Sequence, residues 1–296
     1  MRYIISLLTV LSLTLTSHLT AKELKANISF YNYYAEDDLG YAEFYFDFDG
    51  KSINSSEITK NIFQGAVNIS ISVSIGDSVF FFDKLKVNSP VVNSINDSLP
   101  SFVYKIQIPL LVGKSYDLDI VMDDANKDDI PKTISQKLEL PFQANKIGLS
   151  DLMLLESFEK TTGNSPFTKG NLEIIPLIQP GYYYFPPEFD QLSFYIEIYN
   201  VGAVLGKDKR VMVRYFIETF ETRKKIRQFG GQKLLQNDNI HVLLAPMKIT
   251  SLASGNYNLR VELINEQQEL ISSQSVFFQR NNPIKMDSEN FIGDLA

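Results

Sequence analysis

Val67-Asn68-Ile69-Ser70-Ile71-Ser72-Val73-Ser74-Ile75 puts a β-branched apolar residue at every second position and a small polar one between. Side chains on a strand alternate between its two faces, so this run buries one face and turns the other to water. The same period recurs in both directions. Ala42, Phe44, Phe46 and Phe48 alternate with Glu43, Tyr45, Asp47 and Asp49, and Tyr116, Leu118, Ile120 and Met122 alternate with Asp117, Asp119 and Asp123. Further on, Leu192, Phe194, Ile196 and Ile198 oppose Ser193, Tyr195, Glu197 and Tyr199. Val211, Val213, Tyr215 and Ile217 form another such set, as do Tyr257, Leu259, Val261 and Leu263. Turn residues separate the runs, among them Asp49-Gly50, Gly76-Asp77, Gly230-Gly231 and Ser254-Gly255-Asn256. No long amphipathic helix emerges; residues 149–160 can be wound as one, but a strand over 152–157 fits better. The fold class is all-β, built of antiparallel sandwiches.

Two blocks repeat. Leu110-Leu111-Val112-Gly113-Lys114-Ser115-Tyr116-Asp117-Leu118 is matched, one residue out of register, by Leu252-Ala253-Ser254-Gly255-Asn256-Tyr257-Asn258-Leu259. A Leu, Gly, Tyr, Leu entry to a strand is the pattern of the tyrosine corner of immunoglobulin-like sandwiches, in which a Tyr hydroxyl ties a loop to its own backbone. Its double occurrence predicts two tandem immunoglobulin-like sandwiches over 22–145 and 146–282, jointed near 141–148, with a tail over 283–296.

The chain of 296 residues is 44% hydrophobic and 21% charged, which suits a folded globular protein. It has no Cys and two His, which removes disulfides, thiolate metal sites and cysteine nucleophiles. A net charge of −7 argues against nucleic acid as a partner. Arg2 followed by an apolar stretch over 4–15 reads as a secretory signal peptide over 1–21, cleaved after Ala21. The stretch is too short to span a bilayer, and no later segment is long and apolar enough to do so.

Four blocks carry a family resemblance: Leu149-Ser150-Asp151-Leu152, Phe194-Tyr195-Ile196-Glu197-Ile198-Tyr199-Asn200, Leu252-Ala253-Ser254-Gly255-Asn256-Tyr257, and Phe277-Phe278-Gln279-Arg280-Asn281-Asn282-Pro283. Over 149–283 the chain resembles the segment that precedes the GWxTD domain in GWxTD-domain proteins, which are exported by one Gram-negative bacterial phylum. The resemblance implies an envelope location, periplasmic, outer-membrane-associated or extracellular, and paired sandwiches upstream of that domain. With no Trp in the chain, the Gly-Trp-x-Thr-Asp motif itself is not in it. No catalytic residue is carried over.

Asp124, Asn126 and Asp128 reproduce the D-x-N-x-D start of a calcium loop, in which alternate oxygens surround a hard cation. Asp129 stands where that loop needs Gly and Ser135 where it needs a bidentate Glu, so a solvated hairpin tip is the preferred reading, with calcium the alternative. Tyr182, Tyr183, Tyr184 and Phe185, bounded by Pro180 and Pro186, read as an extended loop or edge strand whose rings could stack on sugars or anchor a protein partner. Asp47 and Asp49 share a strand face and could approach as paired carboxylates, but nothing marks a buried partner. His241 reads as a strand-edge residue, and Arg223, Lys224, Lys225 and Arg227 as a solvated hairpin tip. Asp77-Ser78-Val79 and Asp97-Ser98-Leu99 resemble acceptor triplets of bacterial O-glycosylation. The sequence therefore points to a non-catalytic exported envelope protein, a structural or protein-interaction module needing no cofactor. Its partners would be other envelope proteins or glycans. The alternative is a carbohydrate- or ligand-binding module using the tyrosine loop.

Overall fold

The computed structural model describes residues 23–128, 130–206, 210–236, 238–284 and 291–292. The leader expected over 1–21, most of the tail expected over 283–296, and Asp129 lie outside the described residues. In the first half the strands are β1 (Ala26–Tyr34), β2 (Leu39–Phe48), β3 (Ser55–Thr59), β4 (Ile62–Ile75), β5 (Ser78–Asn88), β6 (Phe102–Leu111), β7 (Ser115–Asp124) and β8 (Lys132–Glu139). In the second half they are β9 (Gly148–Leu149), β10 (Met153–Lys160), β11 (Thr168–Lys169), β12 (Leu172–Pro176), β13 (Tyr183–Phe185), β14 (Gln191–Tyr199) and β15 (Arg210–Thr219). They continue with β16 (Lys225–Gln236), β17 (Ile240–Lys248), β18 (Gly255–Ile264), β19 (Leu270–Arg280) and β20 (Phe291–Ile292). Among the described residues there is one short α-helix, Val201–Leu205, which opens at Asn200 in the left-handed region (φ 65°) and closes at Gly206 (φ 86°).

The chain is all-β and forms two immunoglobulin-like sandwiches. In the first, an inner sheet ordered β1-β2-β6 faces an outer sheet ordered β3-β4-β7-β8, with β5 sharing the β4 edge. The apolar alternation decides which faces meet: Ala42, Phe44, Phe46 and Phe48 of β2 close on Val67, Ile69, Ile71 and Val73 of β4 and on Tyr116, Leu118, Ile120 and Met122 of β7. Each of those Phe rings, removed from water, contributes roughly 2–3 kcal/mol. In the second, an inner sheet ordered β11-β12-β10-β14-β17, with β9 on β14, faces an outer sheet ordered β13-β19-β18-β15-β16-β20. Leu192, Phe194, Ile196 and Ile198 meet Val211, Val213, Ile217, Leu259, Val261 and Leu263 across it. The segment that could be wound as a helix is strand β10, and β13 runs parallel to β19, an exception to the antiparallel arrangement expected.

Both tyrosine corners form. The Tyr116 hydroxyl accepts from the Leu111 N–H at 2.8 Å and donates to the Leu111 carbonyl at 3.2 Å. The Tyr257 hydroxyl donates to the Ala253 carbonyl at 3.1 Å.

One expectation fails, and it locates the site. The polar faces of β2 and β14 are not wet. The two inner sheets lie against each other, and a third buried cluster joins Tyr31, Tyr33 and Tyr45 of the first half to Met153, Leu155, Ile174 and Tyr195 of the second. The molecule is thus a stack of four sheets, with the faces read as solvent-facing closed at its centre. Tyr34, Phe142 and Tyr199 close one end of this junction, their ring centroids 5.6–5.8 Å apart.

Candidate functional site between the inner sheets

Tyr41-Ala42-Glu43-Phe44-Tyr45 on β2 and Tyr195-Ile196-Glu197-Ile198-Tyr199 on β14 share the pattern Tyr-x-Glu-x-Tyr. The alternation that sends Phe44 and Ile196 into their own cores sends these Tyr and Glu side chains into the junction. Glu43 is 2% exposed; its Oε2 accepts from the Tyr45 hydroxyl at 2.8 Å, and its Oε1 takes the ammoniums of Lys105 at 2.7 Å and Lys169 at 3.0 Å. Glu197 accepts from the Tyr195 hydroxyl at 2.5 Å and the Tyr199 hydroxyl at 2.8 Å, and lies 3.8 Å from Lys169. Lys169, carried by the short strand β11, therefore bridges a carboxylate from each sandwich. Its Nζ stands 3.6 Å from the centre of the Tyr33 ring and 5.6 Å from those of Tyr41 and Tyr195, an aromatic cage for the ammonium.

The electrostatics follow from burial. Desolvation lowers the Lys169 pKa, partly offset by Glu43 and Glu197. Burial first, then the Glu43 charge, raises Tyr33 and Tyr45; burial first, then Glu197, raises Tyr41, Tyr195 and Tyr199. All five phenols stay protonated at neutral pH; Tyr45, Tyr195 and Tyr199 donate to the two carboxylates, while the Tyr33 hydroxyl is buried without a partner among the described residues. Around this core Ser150 exchanges hydrogen bonds with Glu197: the Glu197 N–H donates to the Ser150 hydroxyl and the Ser150 N–H to the Glu197 carbonyl, both at 2.9 Å. The Asp151 carboxylate, its pKa raised by burial, accepts from the Asn32 N–H at 2.8 Å, and the Tyr31 and Tyr183 hydroxyls meet at 3.1 Å. The polar junction opens on a cleft of about 530 Å³, walled by Tyr41 and Tyr195 and floored by the four charged groups.

The residues singled out from the sequence lie elsewhere. The aromatic run splits by strand parity: Phe185 is buried and Tyr183 turned into the junction, while Tyr182 (52% exposed) and Tyr184 (39% exposed) face out. Tyr182 meets Phe277 edge-on, and Phe277 meets Phe220, so an aromatic strip runs over the outer face of the second sandwich. Asp124 is buried and its oxygens are filled: Oδ2 accepts from the Asn54 N–H and side-chain amide, Oδ1 from the Asn126 N–H. Asn126 donates to the Asn54 carbonyl, and Asp128 is exposed. Among the described residues no three His, Asp or Glu are grouped to hold a metal ion. Asp49 caps a short 3-10 turn by accepting from the Lys51 N–H, and Asp47 faces Asn27 at 3.4 Å. His241 lies on the edge strand β17; burial lowers its pKa, and its Nε2 is buried without a partner. The basic hairpin is not simply solvated: Arg223 pairs with buried Glu218 at 3.1 Å, and Lys225 lies 4.0 Å over the Phe216 ring.

The blocks that carried the family resemblance turn out to hold the polar clamps. Ser150, Asp151, Glu197 and Tyr199 belong to the junction. Arg280 points one guanidinium nitrogen at the carbonyls of Phe185, Pro186 and Phe189 (2.6–3.4 Å), and the Asn282 amide donates to the carbonyls of Thr250 and Leu252. The repeated Tyr-x-Glu-x-Tyr was the available signal for the site. Lys105 and Lys169 carried none.

No family model matches the chain, and no curated protein matches it. Among solved structures it is similar to the crystal structure of CBD12 from CALX1.2, at 10% identity over 75% of each chain with a TM-score of 0.20. Agreement that loose supports no argument about the site.

Proposed function

We propose that this chain is a non-catalytic protein of the bacterial envelope, a rigid two-sandwich scaffold that presents an outer sheet face to protein partners. The observation that carries the reading is the state of the junction. Each Glu43 and Glu197 oxygen already takes an O–H or N–H donor, from Tyr45, Lys105 and Lys169 in one case and Tyr195 and Tyr199 in the other. Carboxylates so occupied hold two bodies together; a general acid or nucleophile needs an oxygen free to meet substrate. The outer aromatic strip of Tyr182, Phe277 and Phe220, with Arg223 5.4 Å over the Phe220 ring, is the surface of the kind that anchors partners. The apolar leader and the resemblance to GWxTD-domain proteins support the envelope location.

A photo-crosslinking residue installed at position 182 tests this in cells. Discrete adducts with envelope proteins are expected, absent when the same residue stands at exposed position 137 on the far sandwich. Identical adduct patterns at both positions, or none at 182, count against the reading, and recovery of the protein in the cytoplasmic fraction removes the envelope assignment.

A further inference from the structure

We propose that the cleft between the inner sheets is a binding site for a small neutral polyhydroxylated ligand, a hexose or hexose disaccharide. This goes beyond the scaffold reading and uses a different face of the molecule.

Size comes first. A cleft of about 530 Å³ lies within the range of small-molecule sites, roughly 300–1,000 Å³. Charge comes second. The floor holds Glu43, Glu197, Lys105 and Lys169, two acids and two ammoniums, each about nine-tenths buried or more. Their charges cancel, so the floor favours neither an anion nor a cation. The carboxylate oxygens are already met by donors, but the ammoniums of Lys105 and Lys169 hold N–H groups beyond those that Glu43 takes. An ammonium has three N–H groups, and among the described residues Lys105 commits one to Glu43. A hydroxyl both donates and accepts, and a ring of hydroxyls is the neutral ligand that satisfies such a floor.

The walls add the second half of the match. Tyr41, half-buried, presents ring edge, and Ile240 (50% exposed) and Val242 (41% exposed) leave apolar area open at the mouth, while Tyr195 borders the cleft as a buried residue. A pyranose has an apolar C–H face to lay on such surface, with its hydroxyls turned to the floor. The rim supplies the last element. Gln107 and Asn171 are exposed, one from each sandwich, and among the described residues neither side-chain amide has a partner in the protein. Amides carry a donor and an acceptor side by side, the geometry that reads adjacent sugar hydroxyls.

The test is titration calorimetry of the full folded chain with D-glucose, D-galactose, D-mannose, N-acetyl-D-glucosamine, maltose and cellobiose. At least one is expected to bind with one-to-one stoichiometry. Gln107→Ala and Asn171→Ala, which leave the buried charges intact, are each expected to weaken it by about tenfold, the loss of one hydrogen bond, at unchanged melting temperature. Glucuronate is expected to bind no more tightly than glucose. The proposal is overturned if no sugar in the set binds at about 10 mM, if both rim variants bind as well as the parent, or if glucuronate binds far more tightly. None of these outcomes touches the crosslinks from position 182, so the two readings fail separately.

Discussion

Replacing Lys169 by Met keeps a stem of similar length and removes the ammonium that bridges the two sandwiches. The consequences for its two partners differ. Glu43 keeps Lys105 at 2.7 Å and the Tyr45 hydroxyl. Glu197 keeps only the hydroxyls of Tyr195 and Tyr199 and becomes a buried carboxylate without a cation. Removing one member of a buried ion pair costs about 3–5 kcal/mol, because the remaining charge is desolvated and uncompensated. At roughly 2–4 °C per kcal/mol for a chain of this size, the melting temperature is expected to fall by roughly 10 °C. Urea unfolding reads the change through far-UV circular dichroism and tyrosine fluorescence, the chain having 15 Tyr and no Trp. With the bridge gone, the single transition is expected to split, since among the described residues the two sandwiches have their own main cores and are coupled through the junction. The second half of a cycle makes the reasoning refutable. Lys169→Met combined with Glu197→Gln removes the stranded charge and is expected to recover about half of the loss or more. A single variant within about 1 kcal/mol of the parent, or a double variant less stable than the single, would show that the junction is not held by this bridge.

Three further outcomes follow from the same structure. Tyr33, Tyr45, Tyr195 and Tyr199 keep their protons well beyond the ordinary tyrosine value of about 10, so between that value and their folded ones the unfolded chain binds fewer protons and stability falls as pH rises. Lys169, with its pKa lowered, works in the opposite sense below about 10.4, one group against several. Alkaline titration followed by tyrosinate absorbance is expected to show these phenols ionising together with unfolding; smooth ionisation of all Tyr in a folded chain would contradict the burial. Tyr116→Phe and Tyr257→Phe each remove a corner hydrogen bond and are expected to cost about 1 kcal/mol, with Tyr116→Phe the larger because its hydroxyl both accepts and donates at Leu111. Asp124→Ala leaves the Asn54 amides without an acceptor and is expected to cost about 2 kcal/mol, while a calcium chelator leaves the parent's melting temperature unchanged; a chelator-induced drop would restore the calcium reading of Asp124, Asn126 and Asp128.

What could be read from the sequence was what strand periodicity and turn chemistry control. Val67 to Ile75 alternates because β4 lies at the centre of its sheet with one face in the core, and the two Gly-x-Tyr blocks form corners because a Tyr hydroxyl reaches only a few residues back. What could not be read was the burial of a polar face. Alternation says that Glu43 and Phe44 point opposite ways; it does not say whether water or another sheet waits on the Glu43 side. The distinguishing mark was the kind of polar residue. The outward face of β4 carries Asn68, Ser70, Ser72 and Ser74, small groups that water satisfies. The junction faces carry an acid between two tyrosines: the Tyr45 hydroxyl reaches Glu43, and those of Tyr195 and Tyr199 both reach Glu197, which leaves the acids little need of water. Lys169 stayed illegible because it lies in a turn-rich stretch between β10 and β12, where a lone lysine looks like any solvated one.

The chemistry of the junction also explains why it is polar at all. Two sheets pressed together through apolar side chains tolerate sliding, because the dispersion attraction given up at one place is regained at another. The hydrogen bonds and ion pairs here are met at one relative position: Lys169 must reach Glu43 and Glu197 together, Tyr31 must meet Tyr183, and the Asn32 backbone must meet Asp151. A shift of one residue along either strand would turn each Glu toward its own core and strand every one of these groups. The desolvation cost of four buried charges therefore buys a fixed angle between the sandwiches. A polar inner face also keeps each sandwich soluble before docking, where an oily one would invite association with another chain. Rigidity at the junction and safety during folding thus come from the same Tyr-x-Glu-x-Tyr strands.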